Sequence, residues 1–298
     1  MKINSTLFVV LALICLGNVA FAQNAPFTFK VLVSKGKTEV KTSETWQTLK
    51  IGASLKASDE VKVSENSYLA LIHENGTPLE VKEAGDYKVS ALVSRLPKKA
   101  GALNKYTDFI LSKNEDKKVR LGATGAVERT IKDMVLVYLP GSEKSDVYGD
   151  KIYLEWTSDE VKAPYVIIFS NFMEEELGRF ETDKPSFTIA INEGKFQKDN
   201  LILVRVVSKN TPGQGSKAYT IKKLRTADRD KIAAAYNQVK GSIDQNTALG
   251  QYLLAGFYEE NLLLIDALTA YHQAAALAPD VELYKAAYEE FLTRMEFK

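Results

Sequence analysis

The main change of hydrophobic periodicity along this chain falls near residue 225. Before that point apolar residues recur at every second position in short runs; after it they recur about every 3.6 positions. Strands are therefore expected first and helices last, a multidomain β-plus-α fold rather than an alternating βα architecture. Helices are predicted over residues 227–239, 247–258, 262–277 and 281–294. Leu264, Ala267, Leu268, Tyr271, Ala274 and Ala275 form one apolar stripe. Pro279-Asp280 stops one helix and restarts the next, with Asp280 as the expected N-cap.

The first 22 residues carry a different pattern. Lys2 precedes an apolar run over residues 7–16, too short to cross about 30 Å of hydrocarbon comfortably. Ala20-Phe21-Ala22 then places small residues at the −3 and −1 positions before Gln23, the pattern of a cleaved secretory leader. The expectation is export to the periplasm, with outer-membrane association through a partner, and no transmembrane segment in the mature chain. Cys15, the single cysteine, leaves with the leader. No disulfide, thiolate nucleophile or Cys-ligated metal is expected after cleavage. His73 and His272 are too few for a multi-histidine metal centre, so no metal and no cofactor is predicted. Lys and Arg balance Asp and Glu once Lys2 is removed. That balance argues against a nucleic-acid partner, whose recognition rests on excess positive charge.

Residues 23–97 hold alternating runs at 30–33, 38–41, 60–63, 68–72 and 87–90, punctuated by Gly36, Gly52, Asn75-Gly76 and Gly85. Asn75-Gly76 tolerates positive φ at both turn positions and is expected to join strands 68–73 and 78–82 in a hairpin. Gly36 to Val40, Trp46-Gln-Thr-Leu49-Lys-Ile-Gly52, Leu55, Asp59-Glu-Val61, Ser67 to Leu71 and Gly76 follow an ordered spacing. In this spacing the segment resembles the all-β domain of FecR-like proteins. In the regulator that names that family a sigma-factor-binding segment and a membrane helix precede the domain; here a leader does. The resemblance implies a periplasmic interaction module. Trp46 reads as cover for the β-core beside Leu49 rather than as a ligand-stacking ring. His73 reads as a solvated turn residue.

Residues 98–129 form a connector with a short helix expected over 102–113 and four more basic than acidic residues. It reads as a solubilised linker, with contact to an acidic envelope polymer as the functional alternative. Gly122 to Gly125 lacks the Gly-Lys-Ser/Thr ending of a phosphate loop. Residues 130–224 contain five or six predicted strands: 134–139, 152–156, 165–169, 187–191, 201–207 and 218–224, with a long hairpin loop at 209–215. The pattern resembles an immunoglobulin-like or fibronectin type III-like sandwich with Trp156 as its core tryptophan. Glu174-Glu175-Glu176 reads as a solvated acidic loop rather than a calcium site, because successive carboxylates diverge.

Residues 225–298 carry four more acidic than basic residues. Leu254-Ala255, Tyr258, Ala267, Tyr271, Ala274 and Pro279 resemble one tetratricopeptide repeat, with Gln251 where a Trp is often found. One repeat cannot bury its own faces. The four helices are therefore expected to pack on the sandwich, self-associate or dock a partner. Leu254, Tyr258, Ala267 and Tyr271 are the candidate partner-binding residues. Gly-x-Ser-x-Gly, His-Glu-x-x-His and a supported Ser-x-x-Lys are absent from the sequence. The sequence reading is a non-enzymatic envelope scaffold that docks envelope proteins. A periplasmic sensor of a small ligand or polysaccharide is the alternative, and a carboxylate-dependent hydrolase the lesser one. N-terminal sequencing of the exported protein is expected to begin at Gln23; a start at Met1, or a lipid on Cys15, would refute the leader assignment.

Overall fold

The computed structural model describes residues 27–42, 44–96 and 135–296. The cleavage position between Ala22 and Gln23, the helix expected over 102–113 and the basic connector lie outside the described residues. Within them, several antiparallel sheets precede four packed helices.

The first β unit comprises β1 (Phe29–Lys35), β2 (Thr38–Thr42), β3 (Thr45–Thr48), β4 (Ser54–Leu55), β5 (Glu60–Val63), β6 (Tyr68–His73), β7 (Pro78–Val81) and β8 (Gly85–Lys88). They form two four-stranded sheets, β4-β1-β6-β7 and β3-β2-β5-β8. Phe29, Val31, Leu55, Val61, Val63, Leu69 and Leu71 fill the core between them. The Asn75-Gly76 hairpin pairs β6 with β7, and Gly76 takes φ +82°, the left-handed region that glycine enters without a Cβ penalty. Trp46 departs from its expected place. It lies half-buried on the outward face of β3, with Lys62 Nζ 4.6 Å from its ring, while Leu49 joins the core. Strand alternation decides this: Trp46 pairs with Lys41 on the charged face of the sheet. His73 is half-buried rather than solvated, its ring meeting Phe29 edge-on at 5.1 Å.

The second β unit comprises β9 (Leu136–Val137), β10 (Asp146–Val147), β11 (Lys151–Thr157), β12 (Tyr165–Ser170), β13 (Glu176–Thr182), β14 (Ser186–Ala190), β15 (Leu201–Ser208) and β16 (Tyr219–Lys223). A five-stranded sheet, β10-β16-β15-β12-β13, and a three-stranded sheet, β14-β11-β9, share one core. The β10–β16 pair is parallel and the others antiparallel. Trp156 is in that core, perpendicular to Tyr165 at 5.3 Å. The acidic run does not stay a loop: Glu176 opens β13, an edge strand. Its carboxylates turn to separate partners, Glu175 to Asn171 and Glu176 to Arg179.

Four helices follow: α1 (Thr226–Lys240), α2 (Ala248–Glu260), α3 (Leu264–Leu277) and α4 (Glu282–Arg294). Thr247 caps α2, its hydroxyl accepting from Gly250 N at 3.0 Å. Asp280 does not cap α4; Val281 holds the N-cap position, and Asp280 pairs instead with Lys35 at 3.3 Å. Every residue of α3 from Leu264 to Tyr271 is buried, so the helix is wrapped on all sides in its first two turns.

Both β units cover the helices. Strand β6 is buried on both faces: Leu69 and Leu71 point into their own core, while Tyr68, Ala70 and Ile72 join the helical core. Strand β11 divides likewise, with Ile152, Leu154 and Trp156 on the sandwich side and Tyr153 on the helical side. Leu32, Val33 and Tyr138 complete the cover. The apolar faces of the helices are thus covered by the sheets of the same chain. A fragment of residues 225–298 would expose those faces. At about 25 cal/mol per Å² the lost burial no longer offsets about 1–2 kcal/mol of backbone entropy per residue. Circular dichroism of that fragment is expected to show a partly unfolded or associated state; a cooperative monomeric melt near that of the whole chain would contradict this dependence.

Candidate functional site

The most elaborate polar constellation lies where the second β unit meets the helices. The loop joining β10 to β11 runs through Tyr148, Gly149 and Asp150 and is held from two sides. Asp266 of α3 accepts from Tyr148 N at 2.8 Å and Gly149 N at 2.7 Å. Gly149 is required by this approach, because a Cβ there would sit 2.6 Å from Asp266 Oδ1. From α1, Arg229 donates to Tyr148 O at 2.8 Å, lies over the Tyr148 ring at 4.8 Å and pairs with Asp150 at 3.5 Å.

A cleft of about 410 Å³ opens beside this loop. Tyr148, Tyr236 and Tyr258 form an aromatic series along it, with centroid separations of 5.2 and 6.2 Å. Tyr236 Oη donates to Gln245 Oε1 at 3.3 Å, and Gln251 Nε2 to Gln245 O at 2.5 Å. Gln245 Nε2 is buried with no hydrogen-bond partner among the described residues. Lys151 and Lys240 stand exposed at the rim, and Gln273 completes the wall.

Burial dominates the electrostatics. Asp266 is 3% exposed, and desolvation pushes its pKa up to about 7 against the opposing pull of the two backbone N–H groups. Desolvation, reinforced by the Asp266 charge, also raises the Tyr258 phenol. Both oxygens of Asp266 are engaged by main-chain donors, so the group serves as a clasp and is poorly placed as a general base.

A second cluster ties β11 to α3 and α4. Tyr153 stacks on His272 at 3.4 Å, and Glu155 accepts from Tyr153 at 3.2 Å and from Tyr288. Burial pushes Tyr153 up to about 12, raises Tyr288 and lowers His272. The phenols therefore remain donors and the imidazole neutral at pH 7. Through these contacts the cluster joins β11 to α3 and α4 as a seam.

The four residues expected to bind a partner divide into two pairs. Leu254 and Tyr258, one turn apart on α2, line the cleft, although they are only 3% and 8% exposed. Ala267 and Tyr271 turn away from it; Ala267 has no exposed surface, and Tyr271 bonds Glu259 at 2.9 Å and faces Phe291 at 5.0 Å. All four are engaged within the chain. The sequence reading passed over Asp266, Arg229, Tyr148 and Gln245. Asp266 alone carried a signal, as a carboxylate inside an otherwise apolar helix turn.

One further surface stands out at the β12–β13 turn. Phe172 and Met173 are 77% and 78% exposed, yet the turn is ordered by its own bonds. Asn171 Oδ1 accepts from Met173 N at 2.9 Å and Glu175 N at 3.0 Å, and Asn171 Nδ2 donates to Glu175 at 2.8 Å. Glu174 takes φ +64° to close it.

No protein-family model matches the chain, and no curated protein gives a significant match. The raised pKa of Asp266 has a testable sign. The folded state holds this proton more tightly than the unfolded chain, so stability falls as pH rises from about 4 to about 7 and levels off above. Asp266→Asn abolishes that contribution and is expected to show a smaller loss of melting temperature between about pH 5 and pH 8 than the parent. Equal losses in the two proteins would contradict it.

Proposed function

We propose that this chain is a non-enzymatic, exported scaffold or adaptor of the cell envelope. In this reading it is built from a FecR-like β unit, an immunoglobulin-like or fibronectin type III-like sandwich and a tetratricopeptide-like helical end. Its partners are envelope proteins, with an acidic envelope polymer as a further partner of the basic connector. The observation that carries the reading is the β12–β13 turn. An apolar pair held outward on a pre-ordered turn loses little conformational entropy on contact, the property that makes a few residues dominate an interface. Glu174, Glu175 and Glu176 beside it suit a partner pocket that is apolar at its centre and basic at its rim.

The helical end supports the same reading in a different way from the one its repeat pattern suggested. Its apolar faces hold both β units in one core, so the docking turn is presented on a fixed frame. Docking is accordingly assigned to Phe172 and Met173 rather than to Leu254, Tyr258, Ala267 and Tyr271.

The test is photo-crosslinking in cells from position 172, with exposed Lys144 on the same β unit as control. One discrete protein adduct is expected from 172 and none from 144. In purified form, Phe172→Ser with Met173→Ser is expected to weaken binding of that protein at least about tenfold while leaving stability within about 0.5 kcal/mol. Identical adducts from both positions, or undiminished binding by the double variant, would overturn the assignment.

A further inference from the structure

The cleft beside the β10–β11 loop is a second binding feature, independent of the docking turn. We propose that it binds an acidic saccharide, a sugar ring bearing a carboxylate. Three observations point to this class. The first is charge. Arg229, Lys151 and Lys240 line the cleft against two carboxylates, Asp150 and Asp266. Asp266 is buried beneath the loop and engaged by two backbone N–H groups, and Asp150 is paired with Arg229 at 3.5 Å, which leaves the exposed Lys151 and Lys240. The accessible balance is positive, which favours an anion.

The second observation is the ring series. Tyr148 and Tyr236 are each half-buried, so part of each ring remains open to the cleft. Arg229 lies over Tyr148 at 4.8 Å and Lys240 over Tyr236 at 6.0 Å, so a sugar meets the open edges of these rings between two cations. The third is the set of amides. Gln245, Gln251 and Gln273 lie on the wall, and an amide both donates to and accepts from hydroxyls. Gln245 Nε2 is the sharpest of these, since it is buried without an acceptor. A buried donor left unpaired is costly, and a ligand hydroxyl or ring oxygen supplies the missing acceptor once the Gln245 side chain turns its amide into the cleft. The volume, about 410 Å³, falls within the range of small-ligand pockets.

An acidic peptide fits less well. Extended peptides gain affinity by adding main-chain hydrogen bonds to a strand edge. The strand that begins at this cleft is β11, and Tyr153 N on its edge already donates to Thr269 of α3 at 3.0 Å. The remaining walls are helix side chains.

The experiment uses the whole mature chain. Short galacturonate oligomers are titrated by calorimetry and followed by tyrosine fluorescence, with maltotriose and tetraglutamate as neutral-sugar and acidic-peptide probes. Saturable galacturonate binding is expected, weakened at least about tenfold by Lys240→Glu and by Gln245→Leu. Lys240 is exposed, so its variant is expected to melt with the parent. Gln245→Leu removes the orphan donor and also the Oε1 that accepts from Tyr236, so it is expected to bind less, and its binding is compared at a temperature below its own melt. No saturation up to about 10 mM, or equal binding by both variants, overturns the site. Equal binding of maltotriose overturns the requirement for a carboxylate, and tighter binding of tetraglutamate overturns the saccharide in favour of an acidic peptide.

Discussion

Buried and half-buried carboxylates that accept hydrogen bonds from distant parts of the chain hold this structure in register. Glu80 of β7 accepts from Leu249 N at the start of α2 at 2.6 Å and from Tyr68 Oη at 2.6 Å; Tyr68 in turn meets Tyr284 of α4 at 2.8 Å. Asp266 does the same work for the second β unit. Glu155 joins β11 to α4 through Tyr288. Apolar burial supplies most of the free energy of folding, but it is non-directional. An unpaired buried carboxylate is expensive, so each of these groups penalises any docking of sheets on helices that leaves it unsatisfied.

The Glu80 bond also uses the helix it touches. The first N–H groups of α2 have no intrahelical acceptor, and a carboxylate placed there satisfies one of them and opposes the positive end of the helix dipole. Lys82, 2.8 Å from the other oxygen, offsets the charge. Burial, led by desolvation and strengthened by Tyr284 and Glu80, raises the Tyr68 phenol and keeps it a donor. One side chain on β7 thereby positions a helix through a residue, Leu249, that lies 169 residues later.

That separation marks what could be read from the sequence and what could not. The change of period located all four helices to within two residues, because amphipathic spacing is a local property of the chain. The Asn75-Gly76 hairpin and the core position of Trp156 were legible for the same reason. Strand β13 was not, since an edge strand carries charge on its exposed positions and reads as a loop. Trp46 was misplaced because its face depends on pairing with β2 rather than on its own composition. Asp266 was invisible as a clasp because its partners, Tyr148 and Gly149, lie more than a hundred residues away. The Leu254 and Tyr258 spacing did reach the cleft, as its floor.

The helical end answers a problem stated by its own sequence. A lone helix–turn–helix repeat leaves two apolar faces, and solenoid proteins cover them with further repeats. Here α3 is enclosed by α2, α4 and β11, and the outward faces of β6 and β11 cover the helices. Covering a helix with a sheet has a consequence that stacking repeats does not. The sheets become buried on both sides, so their strands lose the polar face that antiparallel sheets usually keep. Strand β6 shows this directly, with Tyr68 to Ile72 buried without interruption. A substitution in β6 therefore disturbs two cores at once, its own and the helical one. The helical end and the sheets are coupled in this way, and the turn that projects Phe172 and Met173 and the cleft beside the β10–β11 loop sit on a single mechanical unit.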